Sequence, residues 1–210
     1  MNTPLSSAAK MLLVSIAFCL LLVGVRMYYT GSIMYGFYIW NMVLAVMPLI
    51  FSRQLVHRRP LHWRSLLLLG GWLVFFPNAP YLVTDILHFT SASSAPRWFD
   101  LVLVTTAAWN GLLLGALSLM HIEGFLALHF SKPAVSGILL FIMVLCGYGV
   151  YLGRFLRFNS WDVLTDPYAL FSIVGQHWLQ PAAHVTVWAF TLLFAGMFAI
   201  FYFTLKYLKQ

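Results

Sequence analysis

Apolar residues run through this chain in six long blocks separated by short polar connectors, and each block reaches or approaches the ~20 residues that a spanning helix needs. The pattern predicts helices at Met11–Met27, Ser32–Ser52, His62–Phe76, Trp98–Met120, Val135–Arg154 and Pro181–Leu205. The fold class that follows is all-α: a polytopic transmembrane bundle of six spanning helices, with residues 1–210 forming one transmembrane domain. The third block is short, because its unbroken apolar part, Ser65 to Phe76, stops at Pro77-Asn78-Ala79-Pro80. Both prolines lack a backbone donor and crowd the preceding turn, so the third helix is expected to be broken at Pro77–Pro80. Asn78 is a suitable N-cap for a helix restarting at about Ala79. Two placements satisfy this pattern. Either the break lies at membrane depth and lines a cavity, or the helix ends at the interface and a surface helix follows.

On the restarted helix Tyr81, Asp85 and His88 share a face at i, i+4 and i+7, with Thr84 beside them and Leu82, Ile86 and Phe89 on another. A second polar stretch runs from Arg154 to Pro167. Arg154 and Arg157 are i, i+3 neighbours, a spacing that lets two guanidinium forks address one anion. Asn159 with Asp162 has the form of a capping pair. Asp166 before Pro167 reads as N-cap and first residue of a short interfacial helix ending near Gly175. The segments Asn78–Asp85 and Asn159–Asp166 share Asn, Thr and Asp at one spacing, which fits either a parallel repeat or two independent helix starts.

Composition narrows the class. With 62% apolar and 8% charged residues, the chain lies far from soluble domains, where about a quarter of residues are charged. A net charge of +7 and a pI near 9.7 could suggest nucleic acid, but the basic residues gather at helix ends. That is the pattern of topology signals and of contact with anionic lipid headgroups, so membrane lipids are the expected partners and nucleic acid is not. Arg53, Arg58, Arg59 and Arg64 fill the connection after the second helix, which puts that loop and both termini in the cytoplasm. The first block is long for a signal peptide and has no small-residue cleavage site, so it is read as a retained helix. Cys19 and Cys146 sit inside apolar runs and are read as packing residues.

The stretch Pro-Asn-Ala-Pro-Tyr-Leu-Val-Thr-Asp from Pro77, Trp98-Phe99-Asp100, and Tyr151-Leu-Gly-Arg154 through Asn-Ser-Trp-Asp162 resemble domain of unknown function 1361, a bacterial membrane family. The likeness covers roughly Trp72 to Leu170. It implies a multi-pass protein of a bacterial inner membrane and brings no activity, substrate or catalytic residue with it.

Chemistry must therefore come from the residues. Ionisable groups at membrane depth cost several kcal/mol unless paired or hydrated. The expected partners are Arg154 or Arg157 for Asp85, and Arg97 or Arg26 for Asp100. A site open to the outer face would use Asp85, His88 and Asp162 for proton handling, and Asn78, Tyr81, Arg154, Arg157, Asn159 and Trp161 for binding, with an anionic headgroup at Arg154 and Arg157. Gly111 with Gly115, and Gly149 with Gly153, predict close packing of the fourth and fifth helices, and Asn110 predicts a hydrogen bond between helices. His121, His129, His177 and His184 lack the carboxylate pairing of a zinc site, so no metal or cofactor is expected, although their spacing alone leaves bis-histidine haem open. No Ser-His-Asp order, Walker loop or dinucleotide glycine pattern is present, and nothing specifies a protein partner. Three function classes fit: an enzyme or binder for an anionic lipid-linked or envelope substrate, a transporter with a polar path continuing inward, and a scaffold whose charges are locked in pairs with no cavity.

Overall fold

A computed structural model describes residues 7–56, 62–88 and 95–208. Arg58, Arg59, Phe89 and Lys209 lie outside the described residues, as does the side chain of His88. The elements are α1 (Ser7–Thr30), a 3₁₀ turn (Met34–Gly36), α2 (Phe37–Val56), α3 (Trp63–Phe75), α4 (Asn78–Tyr81), a 3₁₀ helix (Leu82–His88), α5 (Arg97–Leu126), α6 (Lys132–Phe155), α7 (Asp162–Thr165), α8 (Pro167–Leu179), a 3₁₀ turn (Pro181–His184) and α9 (Val185–Leu208). No strand occurs among the described residues, and six helical segments are long and apolar enough to cross a membrane. One of these, Trp63–Leu87, runs through both prolines and reaches spanning length only by including the residues beyond them. The residues beyond the break pack into the bundle, with Ala79, Leu82, Thr84 and Asp85 all buried.

Helix α5 is the hub. It packs against α1, α2, α4, the 3₁₀ helix Leu82–His88, α6 and α9. Two apolar cores meet on it: one around Trp72, Phe76, Phe198 and Tyr202, the other around Cys19, Tyr38, Leu82 and Leu103. Large apolar side chains elsewhere face outward, Leu67, Leu193 and Ile200 among them, as expected where lipid tails replace water. Asn110 Nδ2 donates to the Ser15 carbonyl at 3.1 Å, bridging α5 and α1 as its position predicts.

Several bounds move for physical reasons. The fourth predicted helix overruns Met120 and reaches Leu126, because Glu123 accepts hydrogen bonds from Tyr202 Oη and Lys206 Nζ, both at 2.5 Å, and is held against α9. The interfacial helix after Asp166 forms as expected, with the Asp166 carboxylate capping Ala169 N–H at 3.2 Å, but it continues past Gly175 to Leu179.

The glycine pairs do not bring α5 and α6 together. A Cβ on Gly111 would stand 2.3 Å from the Ala79 carbonyl oxygen, and one on Gly149 would stand 2.5 Å from Pro77 Cγ. Both glycines admit the proline segment instead. The bulk that they accommodate is the kinked chain, pinched between α5 and α6, which is what the spacing rule alone could not show.

Candidate functional site

The proline segment kinks without stopping. Phe76, Pro77 and Leu82 all keep right-handed helical dihedrals, while the missing donors at Pro77 and Pro80 interrupt the hydrogen-bond ladder. Pro77 takes the N-cap position of α4, so Asn78 is not the cap that its residue type suggests. Its amide is used otherwise. Asn78 Nδ2 donates to the Phe75 carbonyl at 2.9 Å and to Ser160 Oγ at 2.7 Å, and Ser160 Oγ in turn donates to the Val74 carbonyl at 3.0 Å. Two carbonyls at the kink are thereby satisfied at depth, one of them by a residue from the distant polar stretch.

Beyond Tyr81 the chain tightens to 3₁₀, and this changes which residues share a face. Four residues span about 40° in an α-helix but about 120° in a 3₁₀ helix, so Tyr81 and Asp85 part company. Asp85 turns inward with Leu82. It is 1% exposed, accepts from Arg154 Nη1 at 3.2 Å and from Asn41 Nδ2 at 3.3 Å. Of the two expected partners for Asp85, the ion pair therefore forms with Arg154. Asp100 likewise pairs with Arg26, at 2.6 Å, under the ring of Tyr35, whose hydroxyl donates to Asp100 at 3.3 Å.

The remaining sequence candidates scatter. Asp162 is not brought to Asp85: its carboxylate accepts from Asn159 N–H at 2.6 Å and from Thr165 Oγ1 at 3.1 Å, the local capping use that its spacing predicts. Arg157 is exposed, has φ of 61°, and forms no ion pair among the described residues. Trp161 stands edge-on to Trp40 with ring centres 6.2 Å apart.

Between these elements lies an open crevice of about 440 Å³, within the range of about 300–1,000 Å³ common for small-molecule sites. Asn41, Asn78, Tyr81, Asn159 and Ser160 give it a polar rim, and Leu44, Leu73 and Leu145 give it an apolar wall. Leu145 lies ten residues before the end of α6, about 15 Å along the helix. Among the described residues the crevice lining contains no Asp, Glu, Lys, Arg or His. Asp85 and Arg154 sit one residue behind the wall and reach it through Asn41.

Helix α8 covers one side, contributing Leu170 and Phe171 to the lining. Its buried residues, Leu170 and His177, are seven apart and face the bundle together. His177 Nδ1 and the Tyr148 hydroxyl share a hydrogen bond of 2.8 Å, and the His184 ring is centred 4.6 Å from that of His177. Burial, and after it His184, push the His177 imidazole below its usual value of 6.5. No group of three or more His, Cys, Asp or Glu side chains among the described residues could hold a metal ion.

Sequence reasoning missed Asn41, Ser160 and Tyr148. Asn41 had a readable signal, an amide inside an apolar block. Ser160 sat within the noted motif without a role, and Tyr148 had nothing to separate it from the other aromatics.

Compared with known proteins, residues 40–201 match the family described as a protein of unknown function (DUF1361). No curated protein and no solved structure matches the chain.

Proposed function

Starting from a chain that belongs to the DUF1361 family of unknown function, we propose that it binds a lipid-linked amphiphile at the outer rim of a bacterial inner membrane, with both termini in the cytoplasm. The observation that carries this reading is the crevice, which joins an apolar wall at spanning-helix depth to a rim of amides and hydroxyls. An acyl or prenyl chain suits the first and a polar head the second. The orientation rests on the basic loop after α2, with Arg53 closing that helix and Arg64 opening α3.

The rivals differ on particulars. A scaffold would have locked charges and no cavity; here the charges are locked and a cavity lies beside them. A transporter needs a polar path continuing inward, yet Asn110 is turned toward α1 and is not among the residues that line the crevice. A second reading gives the amphiphile an anionic head. What favours it is Arg157, exposed and unpaired among the described residues, next in sequence to the lining residue Phe158.

The test is native mass spectrometry of the protein purified from membranes in mild detergent. Wild type is expected to retain a stoichiometric amphiphile, and Leu145→Trp, which fills the apolar wall, to lose it. A protein that emerges empty, or a Leu145→Trp variant that retains the same adduct, overturns the reading.

A further inference from the structure

The rim of the crevice differs from an anion site in a way that bears on the head of its ligand. Phosphate and carboxylate accept hydrogen bonds and are normally met by arginine, lysine or backbone N–H groups. An ammonium group only donates. Among the described residues the crevice lining has no charged side chain, and the Asp85–Arg154 ion pair is internally neutralised behind Asn41. An isolated charge seated among these lining residues would lose water without meeting a counter-charge, since Arg157 stands outside the lining.

The hydrogen-bonding capacity left open at the rim is mixed. Asn78 uses its nitrogen on the Phe75 carbonyl, which can only accept, so its Oδ1 is fixed as an acceptor at the wall that meets no donor among the described residues. Asn41 uses its nitrogen on the Asp85 carboxylate, leaving one N–H and Oδ1. The Tyr81 hydroxyl and the Asn159 side-chain amide have no protein partner among the described residues. An outward-turned acceptor such as Asn78 Oδ1 repels a phosphate oxygen, whereas a hydroxyl group both donates and accepts and can satisfy every one of these groups. Aromatic faces complete the rim. Trp40 is 55% exposed, lines the crevice and is buttressed edge-on by Trp161, a surface suited to the C–H face of a pyranose ring.

Resting on the amphiphile reading above, we propose that the head of the bound molecule is an uncharged polyhydroxylated group, a sugar, seated among Asn41, Asn78, Tyr81 and Asn159 against Trp40. The lipid it binds is a glycolipid.

The experiment uses full-length protein in nanodiscs, titrated with three lipids of matched acyl chains: a monoglycosyl diacylglycerol, phosphatidylglycerol and phosphatidylethanolamine. Binding is read by native mass spectrometry. The glycolipid is expected to bind at least about 10-fold more tightly than either phospholipid, a gap of about 1.4 kcal/mol. Tyr81→Phe and Asn159→Leu, which leave the kink's hydrogen bonds intact, are expected to erase that gap while total lipid occupancy persists. Equal or tighter binding of phosphatidylglycerol overturns the sugar assignment and leaves amphiphile binding standing. A glycolipid preference unchanged in both variants also overturns it. Absence of any bound lipid removes both.

Discussion

The Ser160 hydroxyl donates to the Val74 carbonyl at 3.0 Å, across 86 positions of sequence, while accepting from Asn78. This one hydroxyl ties the kinked third span to the loop after α6 and holds one wall of the crevice against the other. Ser160→Ala removes the donor from a carbonyl that the kink has freed, so it should cost roughly 1–3 kcal/mol. A double-mutant cycle with Asn78→Ala, read by thermal unfolding in detergent, should show coupling of at least ~0.5 kcal/mol. Strict additivity would mean that the two segments are not joined here.

The Asp85–Arg154 pair should behave as a buried ion pair. Its side chains are 1% and 9% exposed, and removing one partner takes a buried counter-charge from the other. Asp85→Asn is expected to destabilise by about 3–5 kcal/mol, and the double variant Asp85→Asn, Arg154→Gln by clearly less. Thermal melts of the three variants decide this. If the single variant melts with wild type, the pair carries no structural weight.

Gly149→Ala should be poorly tolerated, since its Cβ would stand 2.5 Å from Pro77 Cγ and the proline ring has little freedom to move. A loss of about 1–3 kcal/mol is expected. Gly137→Ala, whose Cβ meets nothing within 4 Å, serves as the control on the same helix and should keep or slightly raise the melting temperature.

Attachment of α8 should depend on pH through His177. Burial favours its neutral form, so its pKa in the folded protein is depressed. The stability it contributes is present above the ordinary value of 6.5 and is lost as pH falls below that, because the detached state takes up the proton first. The groups around it, Tyr148, Tyr151 and His184, include no carboxylate to hold a charged imidazole. Amide protection factors across α8, which remove the intrinsic pH dependence of exchange, should therefore fall from pH 7 to pH 5, and His177→Phe should flatten that dependence. Protection factors that stay constant over this range would remove His177 as the cause.

The spans were legible because twenty-residue apolar blocks have few other uses, and the meeting of the Pro77 and Arg154 segments was legible because charges at membrane depth need partners. Geometry within the site was less so. The face shared by Tyr81 and Asp85 depended on an α-helical period, and the 3₁₀ turn separates them. Gly111 and Gly149 signalled close approach but not to what, since spacing on one helix carries no information about its neighbour. Asp162 has the same residue type as Asp85, and only burial distinguishes a local cap from a buried ion-pair partner.

The account stands on the crevice being a seat for a lipid chain, and photo-crosslinking reports on that directly. A lipid with a diazirine near the end of its acyl chain is incorporated in nanodiscs, irradiated, and its adducts mapped by peptide sequencing. Labelling concentrated on Leu44, Leu73 and Leu145, and abolished for these residues by excess unlabelled lipid, is the predicted result. Labelling confined to outward-facing residues such as Leu67, Leu193 and Ile200, with the crevice leucines untouched, would contradict it.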